Sequence, residues 1–125
     1  GGGNDNIRGG SGSDTIYGEE GSHIIYGGAD GDTIYGGDQK DELYGDGGDD
    51  WIYGEGGDDR IQGDDENDYL FGGEGFDLIL GNAGNDHLRG GGGADRDDDD
   101  DRIPAAGSPT PRSELRRVAR RPTDS

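Results

Sequence analysis

Several materials from which globular proteins are usually built are scarce or absent in this chain of 125 residues. It has no cysteine, which excludes a disulfide framework, a thiolate metal site and a cysteine nucleophile. Only 25% of its residues are hydrophobic, and no apolar run approaches the roughly 18 residues that a membrane helix needs. Methionine is absent even from position 1, so we expect a piece of a longer protein.

Basic residues are also few, with 11 lysines and arginines against 30 aspartates and glutamates. The resulting net charge of −19 excludes nucleic acid as the main partner, because the phosphate backbone would be repelled. A surface or interior so rich in carboxylates favours cations as partners instead.

Glycine is abundant, with 30 copies, and one set of glycines recurs every nine residues together with an acid and an aliphatic residue. The glycines are Gly9, Gly18, Gly27, Gly36, Gly45, Gly54, Gly63, Gly72, Gly81 and Gly90. The acids are Asp5, Asp14, Asp32, Asp41, Asp50, Asp59, Asp68, Asp77, Asp86 and Asp95, with His23 in the one remaining place. The aliphatics are Ile7, Ile16, Ile25, Ile34, Leu43, Ile52, Ile61, Leu70, Ile79 and Leu88. Three residue classes kept in phase indicate a structural repeat, Gly-Gly-x-Gly-x-Asp-x-Ile/Leu-x, rather than low-complexity sequence.

Each nine-residue unit predicts one short strand and one turn. Triplets such as Thr15-Ile16-Tyr17 and Trp51-Ile52-Tyr53 are β-branched and aromatic, as strands prefer. The other six residues are rich in glycine, which permits the positive φ values of a turn. Two units make one coil of 18 residues, and stacked coils would pair their strands in parallel with the aliphatics inside. The predicted fold is all-β, a parallel β-roll with two strands per coil and about five coils, roughly 26 Å long.

The repeated acids would repel one another in such a roll. Asp50 and Asp68 are 18 residues apart and would lie one layer apart, where two charges repel by a few kcal/mol at an effective dielectric constant of about 20. Calcium–oxygen distances of ~2.3–2.6 Å are about half a layer spacing, so Ca²⁺ could bridge two stacked turns with backbone carbonyls as further ligands. Mg²⁺ fits less well because it demands shorter bonds, and zinc would need His or Cys. No EF-hand loop occurs.

The nonapeptide resembles the RTX, or haemolysin-type, calcium-binding repeat over residues 1–98. The resemblance implies a parallel β-roll with several Ca²⁺ ions along both turn edges. It further implies a module of a secreted, extracellular bacterial protein that is exported unfolded, usually by type I machinery, and folds on meeting calcium. Flanking domains of the larger protein are then expected as partners. In this family such domains include toxins, proteases, lipases, epimerases and adhesins.

Carried over residue by residue, the resemblance places the metal ligands in two rows, in which neighbours share an ion. The first row holds Asp14, Asp32, Asp50, Asp68 and Asp86, and the second holds Asp5, His23, Asp41, Asp59, Asp77 and Asp95. Turn carbonyls are expected near Gly10, Gly12, Gly48, Gly57, Gly75 and Gly84. Asp30, Gln39 and Glu66 replace the fourth-position glycine, so their turns lose the residue that tolerates positive φ, and we expect their calcium sites to be impaired. His23 removes one carboxylate and is expected to weaken the sites on either side.

The outward positions leave a second function open. One face carries Tyr17, Tyr35, Tyr53 and Phe71 beside Thr15, Thr33, Trp51 and Tyr69, and the opposite face carries Tyr26 and Tyr44. These rings could stack on one another between coils, which is the favoured interpretation, or bind a glycan or cell-surface ligand as an adhesin does. A third hypothesis is the non-catalytic C-terminal portion of a secreted protease, lipase or epimerase. No catalytic residue is predicted, because neither His23 nor His87 has a neighbouring nucleophile and no G-x-S-x-G motif occurs.

The composition changes near residues 98–102. Residues 1–101 contain 28 acidic and five basic residues, whereas residues 102–125 contain two acidic and six basic ones. We therefore predict a calcium-binding β-roll over residues 1–98 and a disordered tail over 99–125, made of an acidic run and an Arg/Pro-rich end.

Overall fold

The computed structural model describes residues 2–92 and 96–98, which contain strands and turns and no helix that could cross a membrane. The predicted tail over 99–125 and the candidate ligand Asp95 lie outside the described residues. The strands are β1 (Asn6–Gly10), β2 (Thr15–Tyr17), β3 (Ile24–Gly28), β4 (Thr33–Gly37), β5 (Glu42–Asp46), β6 (Trp51–Glu55), β7 (Arg60–Asp64), β8 (Tyr69–Gly73), β9 (Leu78–Asn82), β10 (His87–Gly91) and β11 (Arg96–Asp98).

The strands form two parallel sheets, because successive strands alternate between them. The first sheet has the order β1-β3-β5-β7-β9-β11, and the second sheet has the order β10-β8-β6-β4-β2. Paired strand residues are 18 positions apart in the sequence, as Ile7 and Ile25 are, and Ile34 and Ile52. The register continues to the last strand, where Asp97 pairs with Ile79. This arrangement confirms the predicted parallel β-roll of about five coils.

The apolar core is a single stripe of aliphatic side chains between the two sheets. Its buried members are Ile16, Ile25, Ile34, Leu43, Ile52, Ile61, Leu70 and Ile79, with Ile7 and Leu88 partly buried against them. All ten are residues that the nine-residue period predicted for the interior. Each strand from β1 to β10 contributes one such side chain, so the stripe is only one aliphatic residue wide on each sheet.

Most strands are longer than predicted. β4 has five residues rather than three, because it extends through Gly36 and Gly37 of the next unit, and the turn that follows is correspondingly shorter. Gly36 is buried, and a Cβ atom built on it would lie 2.8 Å from Asp41 Oδ2 and 2.9 Å from the Gly54 carbonyl oxygen. The first glycine of the unit is therefore needed because a side chain has no room, whereas the left-handed conformation occurs at the second and fourth positions.

In the part of the chain that the structure describes, eight residues other than glycine adopt that left-handed conformation. They are Glu19, Asp30, Gln39, Asp46, Glu55, Asp64, Glu66 and Asn82, with φ between 68° and 86°. Asp30, Gln39 and Glu66 thus keep the positive φ of their turns without glycine, and the expected impairment of their sites stays a prediction. Pairing with the turns above and below imposes the backbone conformation on them, at a cost of roughly 1–2 kcal/mol per residue. The turns keep one shape although the sequence varies.

Replacing Glu66 by glycine relieves this strain, since Glu66 has φ 76° and glycine adopts such angles at no steric cost. We expect Glu66→Gly to raise the free energy of unfolding of the calcium-saturated protein by about 1 kcal/mol, measured by urea denaturation. Glu74→Gly is the matched control, because it removes the same charge from an exposed residue outside the left-handed set. Glu74→Gly should lower the free energy of unfolding slightly, because glycine loses more conformational entropy on folding than glutamate does. Equal effects of the two substitutions would contradict the assignment of strain to Glu66.

Candidate metal centre

The repeated aspartates point into the roll rather than out of it. Along a strand alternate residues share a face, so the aspartate of a unit lies on the same side as the aliphatic residue two positions later. In the coil that contains Ile34, Asp32 and Gly36 are buried with it. Six aspartates are at most 3% exposed, namely Asp32, Asp41, Asp50, Asp59, Asp68 and Asp77. The inward direction of the aspartates could have been predicted from their two-residue spacing from the core aliphatics, but the sequence analysis did not predict it.

The structure brings the predicted aspartates together in two rows that run along the roll. In each row the Oδ1 atom of one aspartate accepts a hydrogen bond from the backbone N–H of its equivalent in the preceding layer. Asp50 Oδ1 accepts from Asp32 N–H at 2.7 Å, and Asp68 Oδ1 accepts from Asp50 N–H at 2.8 Å. In the second row Asp59 Oδ1 accepts from Asp41 N–H at 2.8 Å. Each carboxylate therefore fastens two coils to one another.

The second carboxylate oxygen has no such role in most of these residues. The Oδ2 atom is buried and has no hydrogen-bond partner within the described residues in Asp14, Asp32, Asp41, Asp50, Asp59 and Asp68. A buried acceptor without a partner costs free energy, and a buried negative charge without a partner costs much more. These oxygens line the interior beside the first glycine of each unit, where a Cβ on Gly27 would lie 2.6 Å from Asp32 Oδ2. The interior is thus lined with hard oxygen donors suited to a cation such as Ca²⁺.

Burial raises the pKa of these carboxyl groups, with repulsion by neighbouring carboxylates adding to it and backbone hydrogen bonds opposing it. The pKa rises from 3.8 to about 8 in Asp50 and Asp59 and to about 9 in Asp68, and it is also raised in Asp32 and Asp41. For Asp68 the repelling charges include Asp86 and Asp50. Near neutral pH Asp50, Asp59 and Asp68 favour a proton unless a cation neutralises them.

Side chains alone do not complete a coordination shell. Among residues 2–92 and 96–98, no three His, Cys, Asp or Glu side chains converge on one point. An ion between two layers would therefore need backbone carbonyls in addition to carboxylates. The six turn glycines named for this purpose, Gly10, Gly12, Gly48, Gly57, Gly75 and Gly84, all have φ between 95° and 105°. Their conformation is the one expected, and their role as ligands stays a prediction.

His23 continues the second row without adding a charge. It is 1% exposed, and its Nδ1 accepts a hydrogen bond from Asp5 N–H at 3.2 Å, which is the role that Oδ1 has in the aspartates. The backbone N–H of His23 donates a hydrogen bond to Asp41 Oδ1 at 2.8 Å. The interlayer hydrogen bonds are thus unbroken at His23, although one carboxylate is missing there, and the predicted weakening of the flanking sites stays a prediction.

The raised pKa values predict how the metal-free chain responds to pH. A group whose pKa is higher in the folded than in the unfolded state stabilises the fold fully below the unfolded value and loses that contribution as pH rises through the folded value. In a chelator, we therefore expect β-sheet circular dichroism to be strongest near pH 4 and to fall up to about pH 8–9, through the pKa values of Asp50, Asp59 and Asp68.

Two asparagine variants separate buried from surface carboxyls in this experiment. Asp68→Asn removes a buried titrating group, so its pH-dependent loss should be smaller than that of the wild type. Asp65→Asn removes the same charge at an exposed position and should follow the wild type. A metal-free signal that rises with pH would refute this account of the buried carboxyls.

Comparison with known proteins agrees with the geometry. The family model for the RTX calcium-binding nonapeptide repeat matches four times, at residues 1–34, 26–61, 35–70 and 62–97. No curated protein and no solved structure matches the chain. The four matches together cover residues 1–97, which include both aspartate rows. The repeats of this family bind calcium, with several ions for several repeats. The chain belongs to the RTX calcium-binding nonapeptide repeat family.

Proposed function

We propose that this chain is a calcium-triggered folding module whose ions lie between successive aspartates of the two rows. The observation that carries the proposal is the set of buried Oδ2 atoms without hydrogen-bond partners, repeated layer after layer in Asp32, Asp50 and Asp68. Family membership supplies the identity of the cation, and the buried carboxylates supply the reason why the roll needs it.

The proposed ligands are pairs of row neighbours with turn carbonyls. In the first row the pairs are Asp14–Asp32, Asp32–Asp50, Asp50–Asp68 and Asp68–Asp86, and in the second row they are Asp41–Asp59, Asp59–Asp77 and Asp77–Asp95. Bound Ca²⁺ supplies positive charge and six to eight oxygen-binding positions of flexible geometry. The aspartates hold the ion and keep adjacent coils in register, and the turn glycines leave the backbone close enough to contribute.

Coupling between metal and folding follows from this arrangement. The aspartates become neighbours only in the roll, so the free energy of binding calcium is released on folding. A chain of net charge −19 would stay unfolded where calcium is scarce and fold where calcium is plentiful. We therefore infer that the module serves a secreted bacterial protein, exported unfolded by a type I route and folded outside the cell. The repeats themselves are a non-catalytic module, and any catalytic activity would belong to flanking domains.

Circular dichroism during a calcium titration tests the proposal. At neutral pH we expect a disordered spectrum in chelator, a β-sheet spectrum in millimolar Ca²⁺, and little change in Mg²⁺ at the same concentration. Asp68→Ala should raise the calcium concentration at the midpoint about ten-fold, because a lost charge-assisted contact is worth roughly 1.5–3 kcal/mol. The effect should be at least as large as that of His23→Ala.

Asp65→Ala is the matched control, since it removes one negative charge at an exposed position outside both rows. Its midpoint should stay close to that of the wild type. Identical titration curves for the wild type and Asp68→Ala would rule out the row assignment, and an ordered spectrum in chelator at neutral pH would rule out calcium-triggered folding.

Restoring the carboxylate at position 23 should restore binding there. We expect His23→Asp to bind at least one more Ca²⁺ ion than the wild type, measured by equilibrium dialysis, because Asp5, residue 23 and Asp41 would then form an uninterrupted acidic row. His23→Asn is the control, because asparagine offers an oxygen to the Asp5 N–H without a charge. An equal number of bound ions in all three proteins would contradict the assignment of the second row as a metal row.

A further inference from the structure

The outer face of the second sheet carries two parallel rows of side chains. One row holds Thr15, Thr33, Trp51, Tyr69 and His87, and the other holds Tyr17, Tyr35, Tyr53, Phe71 and Arg89. In the second of these rows the four aromatic rings stack with centroids 4.8, 5.0 and 4.9 Å apart and planes within 8° of parallel. Because neighbours cover the faces between successive rings, this ladder presents ring edges to solvent. The predicted stacking between coils is confirmed, and the ladder is a poor platform for a ligand.

Trp51 differs from the ladder rings. It stacks on Tyr69 at 4.2 Å and lies 6.5 Å from Phe71, so all its ring contacts among the described residues are with β8. On its other side its partner in the sheet is Thr33, and Thr15 lies one layer further. A threonine side chain is much smaller than an indole, so the outer part of that indole face is uncovered, and Trp51 is 43% exposed.

This leaves a notch on the sheet surface, bounded by Trp51 at one end, Thr15 and Thr33 as the floor, and Tyr17 and Tyr35 along one side. The two threonine layers span about 10 Å along the roll, and the two side-chain rows are about 7 Å apart. Those dimensions suit one six-membered ring lying against the indole. Within the described residues neither threonine hydroxyl makes a hydrogen bond, so both are available to a ligand.

The chemistry of the notch selects the occupant. Its five side chains carry no charge, although the chain around them has a net charge of −19, so an anion would be repelled. None of the five lining side chains is a carboxylate, so a cation held on the indole face would have no ion-pair partner among them. A neutral ring with polarised C–H groups on one face and hydroxyls on its edge complements both the indole face and the threonines.

We propose that this notch binds a neutral pyranose ring of a saccharide, with the sugar face on Trp51 and its hydroxyls on Thr15 and Thr33. The site lies on the outer face of the second sheet, with its threonines and Trp51 flanking the buried Ile16, Ile34 and Ile52 of the same strands. The aspartate rows lie inside the roll, so the saccharide site is chemically separate from calcium binding. It narrows the aromatic-face hypothesis to Trp51 and the two threonines.

Trp51 is the sole tryptophan of the chain, so its fluorescence reports directly on the notch. We would titrate the calcium-saturated protein with the methyl glycosides of glucose, galactose, mannose and N-acetylglucosamine and with their neutral oligosaccharides. The expected result is a saturable change in Trp51 emission with at least one of them. Thr33→Val keeps the side-chain shape and removes one hydroxyl, and should weaken that binding about five-fold. Tyr44→Leu alters the opposite face and should leave it unchanged.

Any of three outcomes would overturn the proposal. One is a flat titration with every neutral saccharide in a protein whose circular dichroism shows calcium-induced order. The others are equal binding by the wild type and Thr33→Val, and quenching by guanidinium or choline cations in place of the sugars. Failure of the calcium proposal is recognised separately, because it appears as missing order before any saccharide is added. Loss of saccharide binding in Trp51→Ala, measured by saturation-transfer NMR, would support the site independently of fluorescence.

Discussion

The interior of this roll contains both aliphatic side chains and carboxylates, and the carboxylates decide the conditions under which the roll is stable. Each coil places two aliphatic side chains and two aspartates, or an aspartate and His23, between the sheets. Water is excluded from most of the carboxylates, so burial raises their pKa and each needs either a proton or a cation. A conventional core would exclude such groups. Here they recur in one layer after another, so neutralising them favours folding of the roll.

The same constraint explains the spacing of the repeat. Asp-x-Ile-x-Gly puts three residues on the inner face of one strand. The last of them has no side chain because Oδ2 of the aspartate of the following unit occupies that space, as Asp41 does against Gly36. Oδ1 meanwhile accepts the N–H of the previous layer. A residue with one acceptor oxygen could hold the layers together, but only a carboxylate leaves a second oxygen for an ion. The glycine and the aspartate are thus two parts of one site.

Period and alternation made the register and the core predictable. An 18-residue coil follows from a nine-residue unit, and Ile25 or Leu70 could be placed inside from phase alone. The inward direction of the aspartates was also encoded, because Asp32 and Ile34 have the same parity on one strand. Strand length was harder to predict, since glycine is a poor strand former by composition, and Gly36 belongs to a strand because its neighbours in adjacent layers pair with it. Glu66 shows the same effect, as tertiary pairing overrides its local preference.

Among the strand positions of this chain, the residue type varies mainly at those that face outward. The inner positions repeat because packing and charge fix them, whereas the outer positions differ from layer to layer. On the first sheet an arginine, Arg8, lies over the ring of Tyr26 at 4.7 Å, and Tyr44 donates a hydrogen bond to Glu42, so charged groups already occupy that aromatic face. On the second sheet Trp51 stacks on Tyr69 rather than on a charged group. Two faces built from one repeat therefore present different chemistry, and the outer positions are where selection for a partner can act without disturbing the lining of the roll.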